Sequence, residues 1–270
     1  MEPLKVAIIT GAGSGIGHSI AIKFAKHRYK LVILGRRVHK LEETAQLCCK
    51  QGLKEEDASI LIQSCDVLVD SQIENVFKKT INKFERIDVL VNNAGYGIAK
   101  HFTEADIEDF DAMYRIHTRA PIKFMQLAYP FLKKTQGNII NITSCASELT
   151  PTSDLSPYVV AKAGMNIATE LAAKDYGKDG KVRVNAILPG PVKTEIYLSS
   201  GYVKNKEESD KFFQFEESRS LLGRLANSDE IAAIAFFLAN DETGMNITGS
   251  KINASSGENL PNSPVYPESC

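Results

Sequence analysis

The sequence is poor in everything that marks a metal site or a disulfide framework. Its five cysteines (Cys48, Cys49, Cys65, Cys145 and Cys270) are odd in number and show no paired C-x-x-C spacing, so reduced thiols are the expectation. The five histidines (His18, His27, His39, His101 and His117) show neither H-x-x-x-H nor H-E-x-x-H spacing, and no metal is expected. There is no excess of either charge: the net charge is −1 and the pI is near 6.5. Both signs are scattered along the chain, which gives no nucleic-acid footprint and no attraction to an acidic membrane surface. No apolar run approaches the about 20 residues that a membrane span needs; the longest, Ile231 to Leu238, reads as a buried helix. A strand-like run, Val6-Ala7-Ile8-Ile9, starts almost at Met1. That leaves no room for a signal peptide ahead of it, and the expected location is cytoplasmic.

What is present is a regular alternation. Hydrophobic residues make up 43 % of the 270 residues, enough for a sizeable core. Short apolar runs predict strands at Lys5–Ile9, Lys30–Leu34, Ser59–Cys65, Ile87–Val91, Asn138–Thr143, Lys181–Ile187 and Lys251–Asn253. Several, such as Leu31-Val32-Ile33-Leu34, are apolar almost throughout, as in a parallel sheet covered on both faces. Between them, helical periodicity predicts helices near Ile16–Lys26, Val38–Lys50, Asp70–Phe84, Asp106–Lys134, Pro157–Tyr176 and Ser228–Asn240. The implied fold class is α/β: a doubly wound, Rossmann-type, mostly parallel sheet of about seven strands with helices on both faces. One domain is expected over residues 1–258, with an insertion near 195–224 and an irregular, proline-containing tail at 259–270.

The first strand runs straight into Thr10-Gly11-Ala12-Gly13-Ser14-Gly15-Ile16-Gly17, and a helix follows. Glycines here let the backbone turn tightly and approach a pyrophosphate at the helix N-terminus. A glycine-rich loop alone is often a plain turn; its place between strand and helix points to a nucleotide. The end of the second strand then chooses between dinucleotides. NAD sites carry an acidic residue there, whereas NADP sites use arginine near the 2′-phosphate. The strand ends in Gly35-Arg36-Arg37, and two guanidiniums suit a phosphate. NADP(H) is favoured over NAD(H); the alternative is that Arg36 and Arg37 merely open a solvated helix.

Ser156 suits a helix cap and Pro157 a first turn, so a helix is expected to begin at Tyr158-Val159-Val160-Ala161-Lys162. Tyr158 and Lys162 then share a face. A free phenol titrates near pH ~10 and is a poor base at neutrality. An ammonium at about 4 Å contributes roughly 4 kcal/mol at an effective dielectric of about 20. Lys162 is therefore expected to lower Tyr158 toward its working pH.

A Tyr-x3-Lys pair alone usually marks an ordinary helix face. Here it joins the glycine loop, Asn92-Asn93-Ala94-Gly95 after a strand, and Ser144 at the end of the next strand. Together these resemble the short-chain dehydrogenase/reductase family, in its single-domain subgroup with a TGxxxGxG loop and a YxxxK pair, from Val6 to about Gly257. The resemblance implies that Tyr158 is the general acid/base and that Lys162 is its partner, also bonded to the nicotinamide ribose. It implies that Ser144 holds the substrate oxygen. Gly11, Ser14, Gly15, Ile16 and Gly17 would cradle the pyrophosphate, and Asp66 with Val67 the adenine. Asn93, Ala94 and Gly95 would form the turn beneath the cofactor, and Pro189, Gly190, Val192 and Thr194 would contact the nicotinamide amide. Members commonly form homodimers or homotetramers.

Two positions depart from the family pattern. His117 stands where the family usually has a catalytic asparagine that acts through its carbonyl and a bound water. Pro121, four residues on, has no N–H to offer that carbonyl. The relay is expected to survive with histidine, with an imidazole able to titrate near pH ~6.5; the alternative is an incidental substitution with a weakened relay. Near the C-terminus, Ser255-Ser256-Gly257 replaces the family's Asp-Gly-Gly, in a region where members often pack subunits.

The substrate is expected to be a small carbonyl or alcohol compound. It would be gripped by Glu195–Arg224, where Tyr197, Tyr202, Phe212, Phe213 and Phe215 lie among charged residues. That segment reads either as a lid over the pocket or as a surface helix packed on the domain. Cys145 reads as a reactive thiol or, more simply, a buried inert one. The reading is thus an oxidoreductase that moves hydride between NADP(H) and a carbonyl or secondary alcohol. A non-catalytic nucleotide sensor on the same fold is the alternative. An epimerase or dehydratase would need a different glycine spacing and a longer substrate domain.

Overall fold

The computed structural model describes residues 3–51, 59–148, 154–258 and 260. Seven parallel strands form one sheet: β1 (Val6–Thr10), β2 (Lys30–Gly35), β3 (Ile60–Ser64), β4 (Val89–Asn92), β5 (Asn138–Ile142), β6 (Arg183–Pro189) and β7 (Lys251–Ala254). Their order across the sheet is β3-β2-β1-β4-β5-β6-β7. The chain builds outward from β1 to β3, then returns to place β4 on the other side of β1. The strand order therefore reverses between β1 and β4, and in such sheets ligands bind outside the carboxyl ends at that crevice.

The connecting helices are α1 (Gly15–Lys26), α2 (Val38–Lys50), α3 (Asp70–Phe84), α4 (Ile107–Tyr114), α5 (Ala120–Thr135), α6 (Ser156–Gly180), α7 (Ile196–Ser199), α8 (Lys206–Arg219), α9 (Ser228–Ala239) and α10 (Asp241–Gly244). Strand side chains alternate between two cores. Val6 and Ile8 join Phe77 of α3, Phe124 of α5 and Met165 of α6 on one face. Ala7 and Ile9 join Phe24 of α1, Leu41 of α2 and Ile231 of α9 on the other. This is the doubly wound, Rossmann-type arrangement, with both faces of the sheet covered.

Three differences from expectation have a local physical basis. The helix expected over Asp106–Lys134 is α4, a π-turn at Arg115–Arg119, and α5. Asp106 starts α4 through a capping box with Asp109, and Pro121 in the first turn of α5 removes a backbone donor from the turn before it. Ser156 is not a cap: Leu155 precedes the helix without a side-chain cap, and Ser156 and Pro157 fill its first turn. β6 starts two residues later than expected because Lys181 closes α6 in the left-handed conformation, φ 52. Apart from Leu260, the tail from residue 259 onward, including Cys270, lies outside the described residues.

Candidate active site

The carboxyl ends of β1 and β4 are bonded to each other. Thr10 Oγ1 accepts from the N–H groups of Asn93 and Ala94 at 2.9 and 3.0 Å. Asn93 Nδ2 donates to the carbonyls of Thr10 and Gly11 at 2.9 and 3.2 Å. Gly11 takes φ 67, and a Cβ there would stand 2.8 Å from Ala94 Cα. A Cβ on Gly17 would collide with Asn93 Nδ2 and the Gly11 carbonyl. Only glycine lets the two loops close to this distance.

Helix α1 begins beside that junction with no side-chain cap and no acidic residue in its first turn, which holds Gly15, Ile16 and Gly17. Its first N–H groups and dipole therefore remain available to an anion. Ser14 Oγ instead accepts from the Arg37 guanidinium at 3.1 Å, so Arg37 stands over the glycine loop. Arg37 also faces Glu195 at 3.9 Å; Arg36 is exposed. On the neighbouring strand end, Asp66 Oδ1 accepts from Leu68 N–H at 3.0 Å, and Val67 is buried. Glycine contacts, an uncapped helix start and a guanidinium are the donor set that a dinucleotide needs, and these residues fit one.

Ser144, Tyr158 and Lys162 meet beyond the end of β5. Ser144 caps the single 3-10 turn Cys145–Ser147 by accepting from Ala146 N–H at 3.2 Å. Its hydroxyl also hydrogen-bonds to the Tyr158 phenol and pulls that pKa down, against burial that pushes it up to about 12. Lys162 is 6 % exposed; it donates to the Ile142 carbonyl at 2.8 Å and stands 5.6 Å from the Tyr158 ring centre. Burial lowers its ammonium to about 7. The expected lowering of the phenol by the ammonium is thus not what this state shows. Burial drives both groups toward their neutral forms, and among the described residues Ser144 opposes it at Tyr158.

His117 lies in the π-turn, 3 % exposed. Its Nε2 is 2.6 Å from the Tyr96 carbonyl; because that partner only accepts, Nε2 carries the proton. Nδ1 is buried and has no partner among the described residues. Burial first, then the Lys162 charge, lowers its pKa well below the usual value. This corrects the expectation of an imidazole titrating near pH ~6.5. Gly95 makes room for the ring, since a Cβ there would collide with His117 Cε1. Thr118 fastens the same turn to α6 by donating to the Ala161 carbonyl at 2.8 Å.

Pro189 ends β6, and Gly190 N–H donates to the Ala254 carbonyl at 3.2 Å. Val192 bridges to Ala226. Thr194 reaches back to the phosphate loop, where a side chain on Gly15 would meet its Cγ2 at 3.2 Å. The insertion beyond combines both expectations. Tyr197, Tyr202, Phe212 and Phe213 pack as one aromatic cluster, with Tyr197 and Phe212 centres 4.7 Å apart, while Phe215 is exposed. Cys145 is buried, and burial and Glu258 both raise its thiol pKa. It is an inert thiol.

The enoyl-(acyl carrier protein) reductase family model matches residues 11–259. The chain belongs to the short-chain dehydrogenase/reductase family. An uncharacterized oxidoreductase of Thermotoga maritima is 34 % identical over 253 residues, covering 94 % of this chain and 96 % of the relative. The crystal structure of a short-chain dehydrogenase/reductase of unknown function from Caenorhabditis elegans, with cofactor, superposes at TM-score 0.89 with 32 % identity and 95 % coverage of each chain. YwfH, an NADPH-dependent reductase involved in bacilysin biosynthesis, superposes at 0.84 with 27 % identity, covering 94 % and 98 %.

Within this dehydrogenase/reductase, three contributors to the site escape motif reading. The Ile142 carbonyl that holds Lys162 is a backbone atom, which no side-chain pattern signals. Glu258 follows β7 and reaches Cys145 at 3.4 Å. Asn141 ties β4 to α6, accepting from Asn92 at 2.8 Å and donating to Thr169 at 2.9 Å. A polar residue inside the apolar strand Asn138-Ile139-Ile140-Asn141-Ile142 is the signal that could have found it.

Proposed function

We propose that this family member interconverts a carbonyl compound and its secondary alcohol with NADP(H), and uses NAD(H) less well. The observation that carries the reading is the Ser144 hydroxyl on the Tyr158 phenol, with Lys162 buried in the same pocket. That pocket adjoins the glycine-rich crevice. The cofactor, when bound, supplies or accepts hydride at the nicotinamide C4. Gly11, Ser14, Gly15, Ile16 and Gly17 would hold its pyrophosphate, and Arg36 and Arg37 its 2′-phosphate. Asp66 and Val67 would meet the adenine; Asn93, Ala94, Gly95, Pro189, Gly190, Val192 and Thr194 would line the nicotinamide end. The NADPH dependence of YwfH and the position of Arg37 over Ser14 support NADP(H).

The chain's own residues then perform acid–base work. Ser144 donates to the substrate oxygen and fixes it beside Tyr158. A phenol held near 12 is fully protonated at neutral pH, which is the form that gives a proton to the oxygen in reduction. The charge left on the phenolate is stabilised by the Lys162 ammonium and the Ser144 hydroxyl. In oxidation the same path returns the proton. His117 stays neutral and braces the Tyr158 ring edge-on.

Residues 1–258 work as one catalytic unit in this reading, as a homodimer or homotetramer. Val160, Ile167 and Leu171 lie on one face of α6 and are each more than half exposed, a stripe that a second copy would cover. No described helix is long and apolar enough to cross a membrane. The thiols of Cys48, Cys65 and Cys145, in no disulfide among the described residues, support a reducing, cytoplasmic location. The test is a titration with NADPH and NADH followed by a panel of carbonyls and alcohols. Turnover with NADPH preferred is expected; tight NADPH binding without turnover on any compound would favour a sensor.

A further inference from the structure

One carboxylate at the carboxyl edge of the sheet, Glu258, has no part in the proton transfer assigned to Ser144, Tyr158 and Lys162. Glu258 leaves β7 through Gly257, which takes φ 86, and its N–H donates to the Ser255 carbonyl. That turn carries the side chain back toward the reaction centre. Oε2 accepts from the Cys145 thiol at 3.4 Å, one residue beyond Ser144. It also lies directly over Gly190, where a Cβ would stand 2.8 Å from Oε2, one residue beyond the end of β6. Glu258 therefore sits between the segment that carries Ser144 and the segment that follows β6.

Its surroundings are unusual for a carboxylate. Glu258 is half-buried, and burial raises its pKa. Among the described residues no salt bridge reaches it: Arg219, whose charge lowers its pKa against burial, is engaged by Glu216 at 3.5 Å. A desolvated carboxylate without a cation needs donors, and one thiol is a weak donor. The half-buried Tyr197 ring has its phenol pKa raised by burial first, and then by Tyr158 and Glu258, so it lies near both.

We propose that Glu258 selects the substrate by accepting a hydrogen bond from a hydroxyl it carries near the reacting carbon, so that hydroxylated carbonyl compounds and polyols are preferred over plain ketones. The proposal rests on the carbonyl reduction proposed above. A neutral hydroxyl donor suits this carboxylate better than an ammonium, because Arg219 already places positive charge near it. A plain ketone would bury the carboxylate without giving it a donor, and a site built to bond a substrate hydroxyl rejects the analogue lacking it.

The test uses the purified chain with saturating NADPH and matched pairs: butanone against 3-hydroxybutanone, and acetone against hydroxyacetone and aminoacetone. The hydroxyketone is expected to be favoured in kcat/KM by at least about tenfold, the worth of one hydrogen bond to a charged group. Glu258→Gln should narrow that ratio and Glu258→Ala should abolish it, with the melting temperature of each variant showing that it is folded. Plain ketones turned over without a hydroxyl advantage, or an advantage that survives Glu258→Ala, overturn this proposal and leave the carbonyl-reductase reading standing. Preference for aminoacetone overturns the hydroxyl assignment. No reduction of any pair removes both readings.

Discussion

The imidazole of His117 meets the ring of Tyr158 edge-on, with 5.0 Å between centres and 85° between planes. Nε2 is tied to Tyr96 and Nδ1 is sealed from solvent, so the ring is locked as one neutral tautomer against the catalytic phenol. Protonating it would bury a cation close to the Lys162 charge. His117 should therefore remain neutral across pH 6–8, and nitrogen-resolved NMR of the His117 side chain should show only the Nε2–H form. An imidazolium signal growing in near pH ~6.5 would contradict this. A linkage follows with a definite sign. The folded pKa lies below the unfolded value of about 6.5, so stability is retained above that pH and falls as pH drops below it. His117→Asn should flatten that decline in acid melting curves.

Lys162 gives a pH dependence of its own in the cofactor-free protein. Its folded pKa is lowered to about 7 by burial, against about 10.4 unfolded. Between those values the unfolded chain binds a proton that the folded chain lacks, so this residue makes the protein more stable as pH rises through that window. Lys162→Met should gain most relative to wild type at pH 6, and the melting-temperature gap should shrink steadily toward pH 9. A gap independent of pH would mean that the amine is not desolvated as described.

Arg37 should discriminate between cofactors. Replacing it by alanine removes a guanidinium that stands over Ser14 and would meet the 2′-phosphate, a group that NADH lacks. NADPH affinity should fall about tenfold to a hundredfold, the worth of a charge-assisted pair, with NADH affinity unchanged. Equal losses for both cofactors would return Arg37 to an ordinary surface role.

The exposed stripe on α6 predicts an assembly. Leu171→Glu should lower the mass measured by light scattering to that of one chain, while leaving the far-UV spectrum unchanged. An unchanged mass would place any interface elsewhere.

What could be read before the fold was known is what is local in the chain. The strand–glycine–helix unit from Val6 to Lys26 and the Tyr158–Lys162 pair declare themselves through nearest-neighbour geometry, and every strand was legible from apolar runs. The failures share one cause. Ser156 suits a cap by type, but Leu155 takes that place and Ser156 lies within the first turn. The pKa values of Tyr158, Lys162 and His117 are set chiefly by burial, which no spacing reveals. Glu258 sits in no motif, and only the return of the chain after β7 brings it to Cys145 and Gly190.

Tyr158→Phe tests the central claim most directly, because it removes one oxygen and leaves the ring that packs against His117. Measured side by side with wild type, the variant should bind NADPH with similar affinity and lose at least about a thousandfold in kcat on the best carbonyl substrate of the panel, as expected for a general acid that also stabilises the developing oxyanion. Carbonyl reduction by the variant within about tenfold of wild type would contradict the account.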